Sequence, residues 1–463
     1  MKTSKLLALF TCLFVTSCGN NIESTTIEEN SSTSFVESEN TSSSLIDSSS
    51  TSVDTSTITP NEEDYYCVNE KADLNKLNQT EGLTPSTGNV DLLLIPIEFK
   101  DVNIKLEKEV LEKAFNSVND SDVEWYSVSE YYKLSSYGNL NLSFDILDSF
   151  IPANNSSYYE RMDYIKASAD LACEALSYYE NSIDYSKYDS NKDGYIDGIQ
   201  FIYNKPVDKT GKVNLWWAYT YYFDKEDITF DKLKIKGYVL SGYDFLKDNN
   251  QQYNTHTYIH ETAHLFGIDD YYDYYPTAGA TKGGLAGGDM MDNTIGDHNA
   301  FTKALLGWNE GKVINTSKKS LTIDLKAFSA SGEYLILTND FDENKGVLQE
   351  YFIIEYYTPT HLNEMDKIFT VNGIRVLHVV ADTKKDGSFK YDNSVSGVKL
   401  ISQITTSSGG TYLTSKTERS DDTLFVEGES LNSLKTSKDE KIKYSFIVDK
   451  LTDEYSTLTI SLK

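Results

Sequence analysis

The stretch His260-Glu261-Thr262-Ala263-His264-Leu265-Phe266-Gly267-Ile268-Asp269-Asp270 sets two imidazoles four residues apart with a glutamate beside the first. On an α-helix, residues at that spacing lie one turn apart on the same face, so both rings can grip one ion. Glu261 is rotated about 100° from His260, off the gripping face yet able to reach a water on the ion and accept its proton. Gly267 can take the left-handed conformation that ends a helix, and Asp270 is a carboxylate able to fold back to the ion. Asp269 adjoins it as a rival ligand, although the spacing favours Asp270.

The extended pattern, HExxHxxGxxD, resembles the metzincin group of zinc peptidases. Within that group it resembles the immune-inhibitor-A-like family of secreted bacterial metalloproteases, which carries Asp where most metzincins carry a third His. Other stretches resemble the same family: Ser127-Val128-Ser129-Glu130-Tyr131-Tyr132 with Ser136-Tyr137-Gly138, Gly296-Asp297-His298-Asn299-Ala300-Phe301, and Leu306-Gly307-Trp308. The likeness covers roughly residues 90–313 and is weak beyond.

The resemblance implies a methionine turn beneath the site. Gly287-Gly288-Asp289-Met290-Met291-Asp292 supplies it, with Met291 preferred and Met290 the alternative. It also implies a catalytic zinc on His260, His264 and Asp270, three ligands that leave a fourth position for water. Glu261 is then the general base toward that zinc-bound water, and the expected function is a zinc metalloendopeptidase hydrolysing peptide bonds of extracellular proteins. A binding module without turnover is the competing reading, opposed by the intact glutamate and ligand set. His256 and His298 are left without a role.

A second metal signal precedes the first in Asp189-Ser190-Asn191-Lys192-Asp193-Gly194-Tyr195-Ile196-Asp197. Oxygen donors on Asp189, Asn191, Asp193 and Asp197, a carbonyl from Tyr195 and a glycine at the sixth position match a calcium loop. Position twelve is Gln200 instead of a bidentate glutamate, so the loop is not a regular EF-hand. The ion expected there is structural.

Outward from these motifs, the first residues carry two lysines followed by an apolar run at positions 6–15, too short to span a bilayer and suited to a signal peptide (1–17). Val15-Thr16-Ser17-Cys18 resembles a bacterial lipobox, which implies lipidation of Cys18 and anchoring to the outer face of the bacterial membrane, or release outside the cell. Residues 18–63, rich in Ser, Thr, Asn and Glu, cannot bury enough to fold and read as a disordered tether. Residues 64–86 are the only stretch available for a short pro-segment, where Cys67 could mask zinc as a thiolate. Cys67 and Cys173 could also pair with each other.

The remainder reads as α+β: a metzincin-like peptidase domain (87–315) followed by a β-sandwich-like domain (316–463). Residues 90–99 form a buried strand, 106–115 a helix, 140–146 an alternating strand and 162–176 a helix. Strands are expected at 334–337, 351–357, 374–380, 399–404, 444–448 and 458–462. With 42 basic and 71 acidic residues the net charge is -29, which disfavours nucleic acid and anionic lipid as partners. Protein or peptide substrates remain, and the chain is expected to be monomeric. The 34 tyrosines predict a core that is aromatic and hydroxyl-bearing.

Overall fold

The computed structural model describes residues 64–68, 71–210, 213–223, 228–230, 232–247, 252–274, 283–285, 287–293, 295–393, 397–406, 411–413 and 420–463. The signal peptide, Cys18 and the tether lie outside the described residues. No helix among the described residues is long and apolar enough to cross a membrane.

In chain order, β1 (Tyr65–Val68) and α1 (Leu74–Asn78) lead into β2 (Gly88–Ile97), α2 (Lys108–Asn116), α3 (Val128–Ser135), β3 (Leu140–Ile146), α4 (Ser156–Tyr159) and α5 (Tyr164–Tyr179). Strands β4 (Tyr195–Ile196), β5 (Ile199–Tyr203), β6 (Tyr219–Tyr222), β7 (Ile228–Phe230), β8 (Leu233–Ile235) and β9 (Gly237–Gly242) run up to α6 (His256–Leu265). After it come α7 (Met290–Asn293), α8 (Ala300–Leu306), β10 (Gly311–Ile314), β11 (Ser320–Lys326), α9 (Phe328–Ser331) and β12 (Tyr334–Leu337). The chain ends with β13 (Glu350–Tyr357), β14 (Gly373–Val380), β15 (Ile401–Ile404), β16 (Ser430–Leu431), β17 (Tyr444–Leu451) and β18 (Tyr455–Leu462). The molecule is α+β.

The first half is built on a five-stranded sheet in the order β3-β2-β5-β9-β6, parallel except for β6, which runs antiparallel along β9 at the edge. A strand inside a parallel sheet is covered on both faces and so reads as a continuous apolar run. On β2, Val90, Leu92 and Leu94 pack with α2, α3 and α6, whereas Leu93, Ile95 and Ile97 pack against α5 through Leu171 and Leu176. Of the twelve largest fully buried side chains among the described residues, eleven are tyrosines and one is Trp216, the aromatic core expected from composition.

The second half repeats this two-faced logic. A six-stranded sheet, β1-β10-β12-β13-β14-β15, turns Tyr334, Ile336, Tyr351, Ile353 and Leu377 toward the core that holds α6. Its other face, with Leu335, Leu337, Phe352, Ile354 and Val376, packs on the four-stranded sheet β11-β18-β17-β16. The sheet is therefore a shared wall, and one hydrophobic core runs across the boundary expected at residue 315. Strand β10 lies before that boundary, yet it pairs with β1 and β12. Alternating apolar residues mark a strand but not the sheet it joins.

Residues 64–86 are stitched into both halves. β1 is the edge strand beside β10, and Asp64 pairs with Lys318 at 2.6 Å. Leu74, Leu77 and Leu83 are core residues, Thr84 donates its N–H to Leu265 O at 3.0 Å, and Trp308 donates to Ser86 O at 2.6 Å. Cys67 is exposed beside Glu310 and Lys312, and both it and Cys173 are free thiols.

Candidate metal centre

Helix α6 is gripped from several sides, which is why residues all round it are buried. Tyr132 on α3 donates to Ile259 O at 2.5 Å, and Gln200 on β5 donates to Thr262 Oγ1 at 2.6 Å. Thr220 on β6 donates to Glu261 O at 2.9 Å, and Tyr222 on β6 donates to His264 O. The helix ends at Gly267, whose φ of +85° is open to glycine at little cost. A Cβ there would stand 2.6 Å from Asn78 Nδ2 and 2.7 Å from Leu83 Cδ1, so the turn also needs the missing side chain. Asn78 donates to Gly267 O at 2.6 Å and pins the chain as it reverses.

That reversal carries Asp270 back to the helix. One nitrogen each of His260 and His264 and one oxygen of Asp270 lie within 4.8 Å of one another, the one such group of three or more among the described residues. Asp270 Oδ1 stands 2.9 Å from His260 Nε2 and 3.6 Å from His264 Nε2. Asp269, the rival, is exposed and outside the group.

The ring nitrogens facing away decide the chemistry. His260 Nδ1 lies 2.9 Å from Met290 O, and His264 Nδ1 lies 2.7 Å from Ile268 O. A carbonyl can only accept, so each Nδ1 carries a proton and each Nε2 is the nitrogen left to give a lone pair to a metal ion, which on His260 would displace the proton held there by Asp270. Asp270 Oδ1 is buried against His260 Nε2, while Tyr274 donates to Oδ2. Two imidazole Nε2 atoms and a carboxylate oxygen thus converge on one point, where a proton on His260 or a cation in its place balances the carboxylate charge. Ligands of a tetrahedral zinc, each about 2.0–2.1 Å from the ion, stand about 3.3 Å apart, between the two His–Asp separations. The residues fit such an ion.

Burial alone would depress His260, but the Asp270 carboxylate overrides it and pushes the imidazole up to about 9. Burial pushes the Glu261 carboxyl up, and the two imidazoles pull it partly back. Thr220 Oγ1 lies 3.4 Å from Glu261 Oε2, so β6 steadies both the backbone and the side chain of this residue.

Met290 and Met291 are both fully buried in the core containing α6. The carbonyl of Met290 orients His260, and that of Met291 accepts the N–H of Tyr271 at 2.8 Å, next to Asp270. His256 stacks on Trp125 at 4.7 Å. His298 is buried among Tyr131, Tyr132 and Trp308, where burial holds its pKa well below the ordinary imidazole range.

The loop at 189–197 uses its oxygens locally. Asp193 N donates to Asp189 Oδ1 at 3.0 Å, Gly194 N to Asp189 Oδ2 at 3.2 Å and Tyr195 N to Asp193 Oδ1 at 2.9 Å. Ser190 N donates to Asp197 Oδ2 at 2.7 Å. Gly194 takes φ +89°, as the sixth position demands. Gln200 points at α6 instead of the loop.

Sequence reasoning found the three ligand candidates and Glu261. It missed Thr220, Tyr222, Tyr274, and the carbonyls of Met290 and Ile268, since a tyrosine in a Tyr-rich strand and a backbone oxygen carry no local signal. No protein-family model and no curated protein matches this chain.

Proposed function

We propose that this chain is a zinc-dependent metalloendopeptidase with a metzincin-like catalytic half and a β-sandwich-like second half. On this reading it is exported, held at the membrane through Cys18 and turned on extracellular protein or peptide substrates. The observation that supports it is the convergence of the buried Asp270 Oδ1 with the Nε2 atoms of His260 and His264 into one ligand group.

Zinc on His260, His264 and Asp270 would supply Lewis acidity, polarising a scissile carbonyl and acidifying water. Glu261 supplies the proton transfer: its carboxylate takes a proton from water as the oxygen bonds to the carbonyl carbon, then gives it to the amine nitrogen as the C–N bond breaks. A carboxyl raised by burial is a stronger base than one in water. The carbonyls of Met290 and Ile268 hold each imidazole in the tautomer that presents Nε2. Purified protein is expected to carry about one zinc per chain and to cleave casein. Chelation abolishes cleavage and zinc restores it; cleavage that persists through exhaustive chelation would sink the reading.

We read the 189–197 loop as a structural calcium site on Asp189, Asn191, Asp193, Tyr195 and Asp197. Burial pushes Asp197 up to about 6, Ser190 pulling it back and Asp189 and Asp193 pushing further. Without an ion the folded state holds this proton more tightly than the unfolded chain, so the group's stability contribution is present at low pH and lost as pH rises through about 6. Calcium needs the ionised carboxylate. Millimolar calcium should therefore raise Tm by roughly 2–4 °C at pH 7.5, less at pH 5, and not at all in Asp197→Asn. Differential scanning fluorimetry with and without chelator measures it, and a calcium effect equal at both pH values contradicts the assignment.

A further inference from the structure

Arg375 on β14 faces Glu355 on β13 in register, on the side of the six-stranded sheet turned toward α6. The pair is nearly sealed, with side chains 4% and 1% exposed, and is forked: Nη2 lies 2.6 Å and Nε 2.7 Å from Glu355 Oε2. Each partner has one group left over, and both are spent on the backbone around the methionine turn. Arg375 Nη1 donates to Gly288 O at 2.9 Å, and Glu355 Oε1 accepts the N–H of Ala300 at 2.6 Å. Between these two anchor points Asp289 accepts from Met291 N at 2.9 Å, Asn299 N at 2.8 Å and Asn299 Nδ2 at 2.9 Å. The carbonyl held in place by this frame, Met290 O, is the one that orients His260.

Resting on the metal-site reading above, we propose that Arg375 is a positioning residue for the zinc ligands, acting through the backbone from Gly288 to Met291. A buried ion pair is a costly way to stabilise a core, because an apolar pair of similar volume often does as well. What an apolar pair cannot do is hold a carbonyl at a set place. The guanidinium does so from a rigid fork that lysine lacks. The second half of the chain is then part of the metal site's scaffold.

The test uses the full chain with Arg375→Met, Arg375→Lys and the double variant Arg375→Met/Glu355→Gln, which also removes the carboxylate that Arg375 forks onto if the single variant folds poorly. Leu458→Ala, in the packing between β18 and the far face of the same sheet, serves as a stability control. Zinc affinity is read by chelator competition, with Tm of the metal-free protein and kcat and KM alongside. Partners that orient ligands typically contribute about 10–100-fold in metal affinity. Arg375→Met and the double variant should lose about tenfold in zinc affinity and lower kcat more than they raise KM, with Arg375→Lys between. Leu458→Ala should lower Tm yet keep zinc affinity within about twofold. Zinc affinity unchanged in the Arg375 variants, or lost equally in the control at equal Tm, overturns the inference alone. A wild-type chain that binds no zinc overturns the metal-site reading and this inference with it.

Discussion

Glu261→Gln should retain zinc and lose about 10²–10⁴-fold in kcat, the usual range for removing a general base. The substitution preserves volume, and the amide oxygen can still accept from Thr220 Oγ1, so α6 and the bond from Thr220 to its backbone stay as they are. The ligand group does not include Glu261, which is why zinc stoichiometry should not change. What is lost is a carboxylate that burial has made more basic. The measurement is kcat on a quenched fluorescent peptide, paired with metal analysis of the same preparation. Retention of more than a tenth of wild-type kcat with full zinc occupancy would remove Glu261 from the mechanism; loss of both zinc and activity would make it a ligand or a folding residue instead.

Asp270→Asn should weaken zinc binding by at least about 100-fold, whereas Asp269→Asn should leave it within about twofold. The asymmetry follows from where the reversal after Gly267 places the two side chains. Asp270 Oδ1 faces both imidazoles in a buried site, and Asp269 is outside the ligand group. Removing the Asp270 charge also removes what holds His260 near 9, leaving burial to depress it. Both effects are read at pH 7.5 by competition with a chelator of known affinity. Equal losses in the two variants would return the third ligand to the choice the spacing alone left open.

Much of the fold was legible because the informative patterns are local. The strand at 140–146 alternates apolar and polar residues and is β3, buried at every second position. The helical recurrence at 162–176 is α5, and each of the six strands expected after residue 320 is present within a few residues. β11 was missed, although its own alternation is as regular as that of β3. The edge strand β6 was missed for a different reason: Tyr219-Thr220-Tyr221-Tyr222 carries no apolar–polar contrast.

The domain boundary shows the limit most clearly. Alternation at 334–337 and 351–357 announces strands, but which face belongs to which core depends on what packs there, and here both faces are covered. β1, read as pro-segment, completes the same sheet across a separation of more than 240 residues. Non-local pairing of this kind leaves almost no mark on either strand.

By itself the sequence determined the α6 turn that stacks His260 over His264, the glycine that ends it, and the carboxylate candidates within reach, because helix geometry and left-handed φ are properties of neighbouring residues. Only the tertiary structure decided that Asp270 and not Asp269 joins the two imidazoles, that Met290 and Ile268 carbonyls face both Nδ1 atoms, and that Arg375 reaches across from a distant sheet to Gly288. Those outcomes depend on buried backbone oxygens seeking donors and on one core shared by both halves, and neither is written in any short run of residues.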